Sequence, residues 1–227
     1  MRYFFFLLIL LTSCSSVELD KEYLKKNYST KELEYFGEVG FYTGNSVKKW
    51  QKNITISLVG TPKQGDIALV DSIIKEVMPL VAPIRIERKD SDGNLKIKLV
   101  DRVDKGYANQ HVKLGFFNEF QYSDINLPNN LKGTLRQATL RHEFLHALGL
   151  HHPIEKGTGT LIESNVEFVD FDMENVKNYR FSELDKRMIK MLYDKNIIKG
   201  LKKKDYLQTL GLKEKLHPTH GILSTRQ

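Results

Sequence analysis

A single cysteine, Cys14, in 227 residues excludes an internal disulfide, so stability has to come from a packed core and any metal the chain holds. Long apolar runs are equally scarce. The longest, Phe4 to Leu11, falls far short of the roughly 20 residues that a membrane-spanning helix needs. Acidic residues are the minority sign, and the formal net charge is +7. The cations are spread through the chain and interleaved with acids. That distribution speaks against a nucleic-acid partner and for a solvated face, or for attraction to anionic envelope polymers and lipid headgroups. Nothing divides the sequence into two domains, and 41% hydrophobic residues suit one globular domain of moderate size with tails.

What is present begins with Met1-Arg2-Tyr3, one positive charge ahead of the apolar run, which reads as a secretory signal. Its end, Leu11-Thr12-Ser13-Cys14, resembles the bacterial lipoprotein signal. The resemblance implies loss of residues 1–13, a lipid on Cys14, and a membrane as partner through that lipid. Ser15 and Ser16 follow with no aspartate, similar to the outer-membrane sorting pattern of double-membraned bacteria, so the expected location is the bacterial cell envelope. Residues 14–45, rich in Lys, Glu, Tyr, Ser and Asn without a sustained period, are expected to form a tether with a partly ordered end. The domain proper is expected over residues 46–200, with Trp50 near its start. Residues 201–227 read as a basic tail in which only a weak helix from Asp205 to Leu212 stands out, and His217 and His220, which could bind metal as a spaced pair, are taken as residues of a surface tail.

Inside the domain, Ile54-Thr55-Ile56-Ser57-Leu58-Val59 alternates like a strand before the turn at Gly60-Thr61-Pro62. Asp66 can cap a helix from Ile67 to Val81, whose Ile67, Val70, Ile73, Ile74, Val77 and Leu80 fall at helical spacing. Ile84 to Arg88 and Leu95 to Val100 are further alternating strands, and Gly115-Phe116-Phe117 and Tyr122 to Leu127 are read as two short ones. A long helix is expected from Leu131 to Gly149, and a last one after Phe181 with Ser182 as N-cap and Asp185 at its third position.

The long helix carries His142-Glu143-Phe144-Leu145-His146, followed by Gly149 and then His151-His152. Residues four apart lie one above the other on a helix, so His142 and His146 can offer two imidazole nitrogens to one metal ion. Glu143 stands beside that metal, where a carboxylate can take a proton from a metal-bound water. Gly149 supplies the left-handed residue that ends a helix cheaply and lets the chain bring back a third histidine. His152 is placed to be that ligand, with His151 its competitor. Three histidines with an open fourth position describe a catalytic zinc site, since a structural site closes all four.

These residues, His142, Glu143, His146, Gly149 and His152, resemble the metzincin zinc metallopeptidases, most closely over residues 131–193. The resemblance implies an α+β fold with a small twisted mixed sheet, a backing helix, an active-site helix and a C-terminal helix. It further implies one zinc ion per chain on His142, His146 and His152, Glu143 as general base, and a peptide or protein substrate laid along an antiparallel edge strand. The molecule is expected to act as a monomer. Members carry a methionine in a tight turn below the zinc. In this chain the corresponding segment is Thr160 to Asn165, with Leu161 or Ile162 at the methionine's place and Met173 the other candidate. An aliphatic residue fills similar volume at modest cost. The implied activity is metalloendopeptidase. Its alternatives are a binding lipoprotein that keeps the metal without turnover, or a zinc amidase acting on cell-wall peptides.

Overall fold

The clearest alternation in the sequence, Leu95–Val100, forms a strand that buries Leu95, Ile97 and Leu99 and turns Lys96, Lys98 and Val100 half outward. The computed structural model describes residues 19–41, 45–101, 109–114 (for 109–112 the backbone alone), 118–154, 157–163 and 179–214. Among these, helices α1 (Lys21–Asn27) and α2 (Thr30–Val39) precede strands β1 (Lys49–Trp50) and β2 (Ile54–Val59). Helix α3 (Gln64–Val77) is followed by a 3-10 turn, then β3 (Ile86–Arg88), β4 (Leu95–Val100), β5 (Asn109–Leu114) and β6 (Glu119–Pro128). Helices α4 (Gly133–Leu148), α5 (Glu183–Leu192) and α6 (Lys203–Leu210) complete the order. No helix among the described residues is long and apolar enough to cross a membrane.

One mixed sheet runs in the order β1-β6-β4-β2-β3, with parallel neighbours throughout, and β5 pairs antiparallel with β6. Phe120 of β6 pairs with both Leu114 and Trp50, so β5 and β1 lie on opposite sides of β6, and β5 forms an edge among the described strands. The mixed α and β architecture is the one expected. Helix α4 packs on β6 and β5. The core joins Ile54 and Ile56, Leu95 and Ile97, and Ile125 and Leu127 of the strands to Val70, Ile73 and Val77 of α3 and Leu140, Phe144 and Leu148 of α4.

Several boundaries move. Helix α3 starts earlier than its apolar period, because Asp66 acts from the third helical position: its carboxylate accepts the Lys63 N–H at 2.9 Å, and Lys63 is the N-cap. Strand β5 lies just upstream of Gly115-Phe116-Phe117, and the short strand expected at those three residues lies outside the described ones.

The tether expected over residues 14–45 does not hold for residues 21–39. Ser29 and Glu32 form a reciprocal capping box at the start of α2, and Leu33, Phe36 and Val39 bury a stripe spaced three apart. That stripe covers a single ten-residue helix among charged residues, too little for a sustained period to show. The basic tail likewise begins inside the packed body. Tyr206 of α6 is fully buried and its hydroxyl donates to the Leu33 carbonyl at 2.9 Å, joining the two segments taken as appendages. Cys14 and residues 1–13, and His217 and His220, lie outside the described residues.

Candidate metal centre

The site is built on the C-terminal half of α4, and the end of that helix is fixed before any ligand is considered. Gly149 has φ 116°, and a Cβ there would fall 2.4 Å from the Lys48 carbonyl oxygen. Both the backbone conformation and the close approach of Lys48, the residue before β1, therefore require glycine. A helix leaves its last four carbonyls without intrahelical partners. Here all four are met. Leu145 accepts from the Leu150 N–H at 3.0 Å, and His146 from the Gly149 N–H at 3.0 Å. Ala147 accepts from the indole Nε1–H of Trp50 at 2.7 Å, and Leu148 from the Tyr193 hydroxyl at 3.0 Å.

On this end, His142 Nδ1 lies 2.7 Å from the Leu161 carbonyl oxygen and His146 Nδ1 lies 2.8 Å from that of Leu150. A carbonyl only accepts, so each Nδ1 carries the hydrogen and each neutral ring presents a bare lone pair at Nε2. The His146 Nε2 sits 3.1 Å from the Nε2 of His142 and 3.1 Å from that of His152. The bare lone pairs of His142 and His146, facing at that distance, repel unless a cation lies between them. A tetrahedral ion with nitrogens at about 2.0–2.1 Å separates its ligands by roughly 3.3–3.4 Å, close to the spacing seen. The three residues fit a zinc ion.

The ring of His152, not that of His151, completes the cluster: its centroid is 4.6 Å from the His146 ring, against 6.2 Å for His151. The backbone N–H of His151 is tied to the Val39 carbonyl at 2.8 Å, and the Glu38 carboxylate accepts the Ile154 N–H at 3.1 Å. Helix α2 thus holds the loop that delivers the third histidine. His142 is buried, His146 half-buried and His152 exposed, so the cluster opens to solvent on one side.

Burial lowers the proton affinity of the His142 ring, to a pKa of about 4, and lowers that of His146 well below the ordinary histidine value. Neutral rings are the form a metal needs. Glu143, 6% exposed, is pushed up to about 8 by burial. A cation held by the adjacent rings would draw that value down again.

Leu161 and Ile162 are both buried in the turn that meets His142, and the Leu161 backbone supplies the ring's acceptor. Met173 lies outside the described residues. Arg141, next to His142 in the chain, is 3% exposed and ion-paired with Glu76 of α3 at 2.6 Å. Buried Lys49, absent from any sequence expectation, donates to the carbonyls of Leu192 at 2.7 Å and of Ile197, closing the C-terminal end of α5. Nothing in the spacing around either residue signals these partners. Asp185 did leave a signal: it stands on the same helical stripe as Met188, Ile189 and Leu192, an acid on the face that is buried.

No family model and no curated protein matches this chain. Among solved structures it is similar to myroilysin, with 20% identity over 46% of this chain and 45% of that one at a TM-score of 0.30. A second myroilysin structure gives 20% identity, 55% and 58% coverage and a TM-score of 0.30. High choriolytic enzyme 1, a hatching-enzyme zinc protease from the medaka fish Oryzias latipes, gives 19% identity, 48% and 55% coverage and a TM-score of 0.31. The chain spans about half the length of the structures it matches. Likeness at these scores is too slight to assign an activity, so function is drawn from the three histidines, their carbonyl partners and Glu143.

Proposed function

We propose that this chain is a zinc-dependent metalloendopeptidase of the bacterial cell envelope, holding one zinc ion and hydrolysing peptide bonds in a peptide or protein substrate. The convergence of three Nε2 atoms, two of them with the lone pair fixed outward, beside the buried Glu143 carboxylate supports this reading. Zinc, when bound by His142, His146 and His152, supplies a water of lowered pKa and a Lewis acid for the scissile carbonyl.

Glu143 takes the proton of the attacking water and passes it to the leaving amine nitrogen as the C–N bond breaks. Its environment suits both halves of that exchange, since burial favours the protonated form and a neighbouring cation the ionised one. No side-chain nucleophile is required, because the water oxygen forms the new bond to carbon. The Leu161 and Leu150 carbonyls keep the His142 and His146 rings oriented throughout.

The test is metal analysis of purified protein followed by incubation with an unbiased peptide library, with and without a chelator. One equivalent of zinc and cleavage that chelation abolishes are expected. Cleavage that proceeds undiminished after the zinc has been stripped would exclude the mechanism.

The envelope location rests on Cys14 and is tested separately. Cys14→Ser should move the protein from the membrane fraction to the soluble one, because the apolar run before the cysteine is too short to anchor it. A Ser variant that still sediments with membranes would contradict lipid anchoring.

A further inference from the structure

Asp185 has two duties, and only one of them is written in the sequence. At the third position of α5 its carboxylate forms a reciprocal capping box with Ser182, accepting the Ser182 N–H at 2.9 Å and the Ser182 hydroxyl at 2.7 Å. The same oxygen, Oδ2, also accepts the backbone N–H of Leu161 at 3.0 Å, from 24 residues upstream. Leu161 in turn presents its carbonyl to His142 Nδ1–H at 2.7 Å. With its N–H and its carbonyl both engaged, Leu161 has the peptide planes on either side of its Cα pinned. Asp185 holds the peptide unit that enters Leu161, and the unit that leaves it, joined to the first through the Leu161 Cα, carries the carbonyl that meets His142.

The molecule contains its own control. The capping box of α2, Ser29 with Glu32, does the same helix-starting work near the surface, where the Glu32 side chain keeps 19% exposure and pairs with Arg187. Asp185 is 1% exposed, and it has no ion-pair partner among the described residues. Its second oxygen, Oδ1, is buried without a hydrogen bond. Ionising a carboxylate in such a place is costly, and a helix cap does not require it. The burial is explained by the reach to Leu161.

We infer that Asp185 is a positioning residue for the metal centre, fixing the Leu161 carbonyl that orients the His142 ring. The inference rests on the reading of His142, His146 and His152 as zinc ligands. It extends that reading to a residue on another helix that touches neither metal nor substrate. The Leu161 carbonyl is the partner that sets the direction and basicity of the His142 imidazole, and loss of such a partner typically weakens metal binding by about 10–100-fold.

The experiment compares three variants of the full chain, Asp185→Ala, Asp185→Asn and Ser182→Ala, by zinc competition against a chromophoric chelator and by melting of the zinc-free protein. Asp185→Ala is expected to weaken zinc binding by about tenfold or more. Ser182→Ala removes the cap hydroxyl and keeps the Leu161 contact, so it should lower the melting temperature yet hold zinc within about twofold of the parent. Asp185→Asn keeps an acceptor oxygen of the same reach but not the charge. It should fall between the two, and it carries the comparison if the alanine variant does not fold.

Zinc affinities that follow the melting temperatures alone, with Ser182→Ala as damaging as the Asp185 variants, would reduce Asp185 to a helix cap and overturn the inference. Parental affinity in Asp185→Asn and Asp185→Ala would do the same while leaving the three-histidine site intact. A parent that takes up no zinc overturns both.

Discussion

Glu143→Gln should bind one zinc like the parent and lose peptide hydrolysis by about a hundredfold to ten-thousandfold, the range typical for removal of a general base. The substitution is nearly isosteric, and the site's three nitrogens come from other residues. Nothing that holds the metal is touched. Glutamine in a buried position also avoids the desolvation that burial imposes on an ionised Glu143, so the variant should fold at least as stably without metal. Rate measurements on a substrate found in the library screen, together with zinc analysis of the same preparation, check both halves. Parental turnover in a zinc-replete Gln variant would remove Glu143 from the mechanism. A parent that holds zinc and cleaves nothing across a broad library would move the reading to a binding protein.

His146→Ala should abolish stoichiometric zinc. Its Nε2 is the atom that lies 3.1 Å from both of the others, so removing it leaves two nitrogens with the middle of the cluster empty. The loss should exceed the 10–100-fold that an outer partner of a ligand typically costs. Zinc should also cease to raise the melting temperature. In the parent, metal at a hundred times its dissociation constant adds about 2.7 kcal/mol of apparent stability, and a variant that no longer binds gains none of it. Equal zinc in variant and parent after dialysis would refute the placement of the site.

The histidine spacing was legible because it is local: the helical repeat puts His142 and His146 on one face, and the turn at Gly149 returns the chain so that His152 can join them. Strands β2 and β4 were legible for the same reason, since alternation over six residues is a property of the segment itself. What the sequence hid is long-range. The Leu161 N–H meets Asp185 24 positions away, the Arg141 guanidinium meets Glu76 on another helix, and Lys49 reaches carbonyls beyond position 190. None of those pairings has a period or a motif. Helix α2 was missed because its apolar stripe is only one helix long and is surrounded by lysine and glutamate, the composition of a linker.

That helix pair alters what an anchored molecule could reach. Thirty residues of free chain between a lipid and a folded body would let the body roam on the order of 100 Å from the bilayer. With α1 beginning at Lys21 and capped by Asp20, six residues of sequence separate Cys14 from the helix, a number that can span at most roughly 20 Å. With Cys14 lipidated as proposed, the histidine cluster works within about a molecular diameter of the membrane surface. On that proposal, the distance at which the cluster works from the bilayer would be set by where α1 starts.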